Sequence, residues 1–530
     1  MKEKYILLRF VFIFTLILGL ASCEKDYLQT IPTTAVSTEI ALSNTENMML
    51  AMNGIHRSMY AQNGRIRYYA GQQFIIPTAE YGASDAMHSA VGNGWHRSRI
   101  QWTMHTNATG QDIDWMWYHF YNIIGSVNNI INAAEDLQES TELNNILGQC
   151  YTYRAWAHFN LVKFFAQGYM VGNPASDLGV PIMTATEPPY EGKARATVQE
   201  VYNQIIDDLD EAMVYFADAT PRADLSHLDM NVAHGVAARV NLTIGNWAQA
   251  ASHANAARQG YSLMNEAQYK SGFNNWDNPE WIWGLKMIQD QTSYYWSYFY
   301  YCSNNFNGSQ NRSNPKFINH ELYAQIEDTD YRKDLFLPNC PSTFDDWDEG
   351  VNAGRYASEA AFDDSVAYYR TIVNNGSSHN MVPYLHIKLL QSNGPTIDPM
   401  DVVVMRASEM YLIEAEALAR QGQDGPAANV LFDLVSERDD AYVLSTNTGQ
   451  ALIDEILLQR RIELFLEGQR WFDMIRNDEE LDLTGATGAD PNLYIDGMQQ
   501  DRPSVNPNWT FLIPQRELDA NPNMVQNQHQ

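Results

Sequence analysis

The chain has 530 residues, of which 45% are hydrophobic, so it is long enough to bury one large core or two to three smaller ones. Its formal net charge of −30 argues against nucleic acid as a partner, because such a surface repels phosphate backbones. Four cysteines do not make a disulfide scaffold. Beyond Cys23, the sequence leaves open one bridge between Cys302 and Cys340 or three buried free thiols that include Cys150.

The first residues have the pattern of a bacterial lipoprotein signal. A basic start precedes an apolar run over residues 10–20, which is too short for a membrane span of about 20 residues. Leu-Ala-Ser then leads directly into Cys23, the residue that such signals acylate. We predict that residues 1–22 are a cleaved signal peptide, that Cys23 carries lipid and that residues 23–40 tether the protein to a membrane. The alternative is an ordinary signal peptide in which the cysteine is coincidental.

Hydrophobic periodicity predicts long helices, several of them in pairs. Thr197 is a candidate N-cap residue, and Glu200 stands where a capping box requires it. A tight turn at Gly245 divides one helical pair, and the pairing is similar to tetratricopeptide (TPR) packing without its regular period. The predicted helices are Asp112–Asp136, Asn145–Gly168, one that begins at Thr197, the pairs 230–244 with 246–259 and 404–421 with 425–438, and 450–467.

Between the helical pairs lies a region of different composition. Residues 261–403 are rich in Asn, Gly, Ser, Pro and aromatic residues and show little helical periodicity. We predict loops and short helices that lie against the helical scaffold. An irregular insertion of this length commonly carries function.

The C-terminal third contains the most specific stretches of the chain. Residues 404–420 read VMRASEMYLIEAEALAR, and residues 460–476 read RRIELFLEGQRWFDMIR. The tail continues with WTFLIP at 509–514, followed by Asn-Pro at 521–522 and Gln-Asn at 526–527. Together with the lipoprotein signal, these stretches resemble the SusD/RagB family of outer-membrane nutrient-binding lipoproteins. The resemblance spans the whole mature chain.

The resemblance implies a mainly α fold, in which TPR-like helix pairs form a right-handed scaffold beside an irregular ligand-binding half. Residues 41–530 would form a single domain of this kind. Its helices would lie at about 41–260 and 404–476, its irregular region at about 261–403 and its tail at 477–530. The resemblance also implies an outer-membrane lipoprotein that faces the cell exterior. Such a protein captures an oligosaccharide or another nutrient for a SusC-like TonB-dependent channel.

Four charged residues near the end of the last long helix have two interpretations. Glu463 and Glu467 lie one helical turn apart, and Arg460 and Arg470 each lie three residues from one of them. Paired carboxylates can serve general acid–base catalysis. The helix, however, is apolar on most of its sides, and buried carboxylates need cationic partners. We therefore interpret the four residues as a structural ion network.

Neutral sugars present flat C–H faces that stack on Trp and Tyr, and nearby polar groups bond their hydroxyls. Segments 81–102 and 273–312 have this composition, and the family typically places binding aromatics in loops of these regions. The candidate ligand-binding residues are Tyr81, Asp85, Asn93, Trp95, Arg97, Trp296, Tyr298 and Asn305. Trp281 and Trp283 alternate as in a buried strand, so we assign them to the core.

Known catalytic motifs are absent from the sequence: there is no His-Glu-x-x-His, no Gly-x-Ser-x-Gly and no phosphate-binding loop. We therefore predict a glycan receptor and not an enzyme. A peptide or other nutrient ligand stays open as an alternative, and so does a surface glycoside hydrolase, whose carboxylates need not be close in sequence. No cofactor or metal site is predicted, and structural calcium is not indicated because no EF-hand loop pattern occurs.

Overall fold

The computed structural model describes residues 41–62, 69–89, 94, 96–185, 192–288, 296–487, 501–502 and 507–529. The predicted signal peptide, Cys23 and the tether lie outside these residues. Among the described residues, no helix combines the length and the apolar character that a membrane span requires.

The N-terminal half is built from helices that pack side by side. The elements in chain order are α1 (Thr45–Ser58), α2 (Gln72–Glu80), β1 (Ala86–His88), α3 (Arg97–Ile100), α4 (Gln111–Ala134), α5 (Thr141–Phe165), α6 (Val198–Phe216), α7 (Met230–Thr243) and α8 (Trp247–Ala257). From α4 to α8, each helix packs against the next one in the chain.

Local sequence sets both the ends and the close approach of these helices. Thr197 caps α6 in the predicted capping box, because the backbone N–H of Glu200 donates to its hydroxyl at 3.2 Å and its own N–H donates to the Glu200 carboxylate at 2.8 Å. Gly148 lets α5 approach α6, since a Cβ there would lie 2.7 Å from the ring of Phe216. The helix predicted to begin at Thr197 is confirmed.

The middle region consists mostly of short elements. β1 joins three of its strands in an antiparallel sheet of order β1-β3-β5-β4, so the sheet links the N-terminal half to the middle region. The elements are α9 (Glu266–Tyr269), β2 (Trp281–Leu285), α10 (Tyr298–Cys302), α11 (Ser309–Ser313), β3 (Lys316–Ile318), α12 (His320–Tyr323), β4 (Phe336–Leu337), α13 (Glu359–Val373) and β5 (Leu385–His386), with 3-10 turns at Tyr331–Leu335 and Gly350–Asn352.

The C-terminal part returns to the helical scaffold. Its elements are β6 (Val402–Arg406), α14 (Ala407–Arg420), α15 (Asp424–Val435), α16 (Gln450–Glu463), α17 (Arg470–Arg476), β7 (Leu481–Asp482), β8 (Asp501–Arg502), a 3-10 turn at Pro507–Trp509 and α18 (Gln515–Ala520). Helix α14 packs directly on α8 and also on α15 and α16, while β6 pairs antiparallel with β2. The middle region is therefore an insertion between two scaffold helices that contact each other.

The structure corrects two predictions about helices. α16 ends at Glu463 and not at 467, because Leu466 and Gly468 adopt left-handed backbone with φ of 64° and 82°. The fifteen-residue helix α13 lies where we predicted loops and short helices. Val373 is its one fully buried residue, while Val366, Tyr369 and Ile372, at helical spacing, pack partly buried against the core.

Two other sequence expectations concern the core. Trp281 and Trp283 lie in β2 and are fully buried, as predicted. Cys150, Cys302 and Cys340 are buried free thiols, which decides between the two alternatives for the cysteines. Burial raises the pKa of Cys302 to about 12, so this thiol stays protonated and unreactive at neutral pH.

Eight charged side chains meet in the interior and are at most 8% exposed. Four carboxylates stand against four cations, so the set is formally neutral, and this balance allows the charges to be buried. We call it the buried charge cluster: Glu280, Asp330, Arg332, Lys388, Arg406, Arg438, Glu463 and Glu467.

Glu463 and Arg406 form the centre of the buried charge cluster. Arg406 Nη1 lies 2.6 Å from Glu463 Oε1, and Arg332 Nη1 lies 2.8 Å from Glu463 Oε2. Burial opposes ionisation of Glu463, but the guanidinium groups of Arg438, Arg406 and Arg332 outweigh it and hold its pKa well below the usual range. Arg406 also reaches Glu467 at 2.7 Å, so one side chain bridges both carboxylates.

The buried charge cluster joins the middle region to the scaffold, because half of its members come from each. The two arginines that the sequence placed beside Glu463 and Glu467 pair elsewhere. Arg460 Nε lies 2.7 Å from an Asp473 oxygen, and Arg470 Nη2 lies 2.6 Å from Glu479. The partners of the two glutamates come instead from distant parts of the chain.

Replacing Glu463 with Gln should destabilise the protein by about 3 kcal/mol or more, because it leaves buried arginines with one counter-charge too few. Urea unfolding at pH 7 measures the loss. Glu211→Gln, an exposed position on α6, is the control and should change little. Because the pKa of Glu463 is lower in the folded protein than in the unfolded chain, its ionised carboxylate stabilises the fold at pH values above the unfolded pKa. This stabilisation is lost as the pH falls through the folded pKa. The loss of stability in Glu463→Gln should therefore become smaller in strong acid. Equal stability of Glu463→Gln and Glu211→Gln at pH 7 would contradict the central role of Glu463 in the buried charge cluster.

Candidate functional site

Two aromatic segments that are far apart in the sequence meet in the structure. Helix α10 packs on α2, and the hydroxyl of Tyr81 donates to the carbonyl oxygen of Tyr301 at 2.9 Å across 220 residues. The ring of His96 lies edge-on to Tyr301 with 4.5 Å between centroids. The predicted segments 81–102 and 273–312 therefore contribute to one site.

Rings from four parts of the chain pack together at this site. We call them the aromatic layer: Tyr69, Phe74, His96, Trp115 and Tyr301. Phe74 is the central ring, with centroids at 4.6 Å to Tyr69, 5.3 Å to His96, 5.7 Å to Trp115 and 6.3 Å to Tyr301. The layer thus connects α2, α4, α10 and the turn before α3.

The aromatic layer carries no charge of its own at neutral pH. Burial, with the nearby charges of Arg99 and Lys316, lowers the pKa of His96 to about 3, so its imidazole is neutral. Burial also lowers the pKa of Lys316 to about 7 and that of His88 well below its usual value. All five rings are at most 7% exposed, so the layer is an uncharged part of the core and offers little stacking face of its own.

Several aromatic residues of this region hold an unusual backbone. His96, Trp102 and Trp296 adopt the left-handed conformation with φ of 58°, 59° and 65°. That conformation costs a non-glycine residue about 1–2 kcal/mol, and such strain concentrates at functional sites. The strain at Trp296, two residues before α10, directs attention to this tryptophan.

Of the eight predicted ligand-binding residues, two are described with solvent-accessible surface. Trp296 is partly buried against the core, and Arg97 is exposed at the start of α3. Asn93 and Trp95 lie outside the described residues.

The structure corrects the expectation for the other four, which are buried and bonded internally. Tyr81 and Tyr298 are at most 2% exposed, and the Tyr298 hydroxyl donates to a backbone carbonyl after α16 at 2.7 Å. Asp85 accepts a hydrogen bond from an arginine of α16 at 2.7 Å. The side-chain amide of Asn305 donates to the backbone carbonyl of Gln391 at 3.1 Å and accepts the backbone N–H of Gln391 at 2.8 Å. These side chains hold the site together and do not face solvent.

Sequence reasoning missed three members of the aromatic layer. Tyr69 and Phe74 lie in or beside α2, a helix that the sequence analysis did not predict. Trp115 lies in the predicted helix Asp112–Asp136, but helical periodicity alone cannot show which of its rings pack with other segments. Among the described residues, no group of three or more His, Cys, Asp or Glu side chains is arranged to hold a metal ion.

Paired scaffold helices with an inserted, aromatic-rich half define a class of helical-repeat proteins. Residues 247–529 match the SusD family, and residues 40–242 match a family described as starch-binding associating with outer membrane. The first match spans more than half of the chain. The chain therefore belongs to the SusD family.

Similar proteins share the whole fold at low identity. A SusD-like protein of Formosa agariphila is 22% identical over 99% of both chains. A SusD-like carbohydrate-binding protein of Bacteroides vulgatus ATCC 8482 has a TM-score of 0.71 at 23% identity, over 91% of this chain and 97% of the other. A laminarin-binding SusD-like protein has a TM-score of 0.64 at 18% identity, over 92% of this chain and 99% of the other.

Glu80, at the end of α2, should make stability depend on pH. Burial and the charge of Asp85 raise its pKa from the ordinary 4.5 to about 7, although three backbone N–H groups bond it. The folded protein then keeps a proton that the unfolded chain releases, so stability falls by about 3 kcal/mol as pH rises from 4.5 to 7. Glu80→Gln should remove this fall.

Urea unfolding at pH 5 and pH 8 tests the effect of Glu80→Gln. The variant should gain stability relative to wild type at pH 8 and differ little at pH 5. A constant difference between the two proteins at both pH values would contradict the raised pKa. Glu211→Gln again serves as the exposed control.

Proposed function

We propose that the protein is a cell-surface receptor that binds a glycan at and around Trp296 and delivers it, uncleaved, to a SusC-like TonB-dependent transporter in the outer membrane. The observation that carries this proposal is the meeting of the two aromatic segments, marked by the Tyr81–Tyr301 hydrogen bond and the His96–Tyr301 contact.

Three features favour a neutral glycan as the ligand. The buried aromatic layer is uncharged at neutral pH, and the partly exposed Trp296 lies five residues before its member Tyr301. Arg97 provides an exposed hydrogen-bond donor in the same segment as His96. Membership of the SusD family and the laminarin-binding relative point to the same ligand class.

Trp296→Ala should weaken glycan binding at least tenfold, which corresponds to about 1.4 kcal/mol, because it removes a stacking surface. A glycan array that includes laminarin and starch oligosaccharides identifies the ligand, and calorimetry with the strongest hit measures the affinity. Trp247→Ala is a matched control, since Trp247 is also partly exposed but lies on the scaffold helix α8. Unchanged affinity in Trp296→Ala, with binding intact in wild type, would show that this tryptophan is not the platform.

The same preparations separate a receptor from an enzyme. Incubation of wild-type protein with each bound polysaccharide should release no reducing ends. Release of reducing ends would favour the glycoside hydrolase alternative. Binding of peptides in place of glycans would keep the transport role and change the ligand class.

Cys23→Ala should move the protein from the membrane fraction to the soluble fraction of the cells that produce it. The physical reason is the loss of acyl chains, each buried methylene of which contributes about 0.8 kcal/mol to membrane binding. Fractionation followed by protease treatment of intact cells measures both anchoring and surface exposure. Membrane association that survives in Cys23→Ala would contradict the lipid anchor.

A further inference from the structure

A second concave surface lies on the scaffold, away from the aromatic layer. A cleft of about 300 Å³ opens between α4, residues 181–185 and α18. Three aromatic side chains of α4 line it, namely Trp117, Tyr118 and Tyr121, and we call it the α4 cleft. Trp115, the α4 member of the aromatic layer, is not among its lining residues, so one helix serves two separate surfaces.

The aromatic wall of the α4 cleft is both rigid and accessible. Trp117 is buried, with its ring 5.0 Å from that of Tyr121, whose hydroxyl donates to the Pro181 carbonyl at 2.9 Å. Tyr118 is 42% exposed. A fixed base with an exposed ring beside it is suited to stacking against a flat, weakly polar face.

The rim of the α4 cleft carries groups of both charges. Asp114 and Arg516 lie 3.8 Å apart, with side chains 31% and 54% exposed. This separation is longer than a hydrogen bond, so the guanidinium group has donors available for a ligand. A carboxylate and a guanidinium at the same rim suit the hydroxyl groups of a neutral molecule better than they suit an ion of either sign.

Gly125 keeps the α4 cleft open. It lies in the interior of the 24-residue helix α4, where glycine is less favourable than alanine. A Cβ at this position would meet no atom within 4 Å, so packing does not require the glycine. Gly125 nevertheless lines the cleft, one turn from Tyr121, where any larger side chain would enter the open space.

We propose that the α4 cleft is a second binding site for one neutral sugar unit, stacked on Tyr118 and bonded by Asp114 and Arg516. This inference rests on the proposed function, because it extends glycan binding from one surface to two. A long glycan that occupies both surfaces would be held more tightly than by either one alone.

Filling the cleft tests the proposal in a background that lacks the first site. The probe is the oligosaccharide that binds wild type most strongly on the glycan array, titrated by calorimetry. Trp296→Ala should keep weak residual binding, and adding Gly125→Leu should weaken that residual binding at least tenfold. The control adds Gly54→Leu, an exposed glycine in the interior of α1 whose Cβ would also meet no atom within 4 Å, and it should keep the residual binding.

Folding is monitored by thermal melting, and Gly125→Leu should melt no lower than Gly54→Leu. If it melts lower, Tyr118→Ala replaces it, with the 61% exposed Tyr368→Ala as its control. Equal binding by test and control variants, or no residual binding in Trp296→Ala, overturns the second site and leaves the first intact. Failure of wild type to bind any glycan overturns the proposed function and this inference with it.

Discussion

The contact between Glu463 and Arg406 is the interaction on which the arrangement of the two halves depends. It lies where the end of α16 meets the end of β6, and four of the remaining six members of the buried charge cluster lie in the middle region. Because these side chains are at most 8% exposed, the charges are stable only as a balanced set. Immediately after Glu463 the chain turns through left-handed backbone at Leu466 and Gly468, and α17 begins two residues later, at Arg470. Helix α2, which carries Phe74 of the aromatic layer, contacts the same turn, since Glu80 accepts the backbone N–H of Gly468 at 2.6 Å.

Much of the scaffold could be predicted from the sequence because its determinants are local. Thr197 and Glu200 lie three residues apart and form the capping box without help from the rest of the chain. Helix α13 was missed although Val366, Tyr369 and Ile372 recur at helical spacing, because the composition of residues 261–403 favoured loops over this local pattern. The end of α16 was misplaced because apolar periodicity continues to 467, while the backbone turns away to bring Glu463 and Glu467 to their partners.

The site was predictable as a region and not as a set of side chains. Composition identified both aromatic segments, and the structure brings them together. Whether a tyrosine in such a segment faces solvent depends on the element that covers it, as Tyr81 shows: its hydroxyl is taken up by the carbonyl of a residue 220 positions away. No local pattern encodes that partner. The ion network shows the same limit, because Glu463 pairs with Arg332, Arg406 and Arg438 and not with its neighbour Arg460.

The direct packing of α8 on α14 means that the two ends of the middle region are held together by the scaffold itself. The region between α8 and α14 could therefore be replaced by another insertion, with different loop lengths and aromatic positions, while the scaffold helices keep their contacts. The exchange has one condition. The scaffold members are two carboxylates and two cations, so a transplanted region without equivalents of Glu280, Asp330, Arg332 and Lys388 would leave the net charge unchanged. It would nevertheless remove hydrogen-bond partners from these buried groups. Chimeric proteins built at these junctions would therefore depend on four buried residues of the middle region.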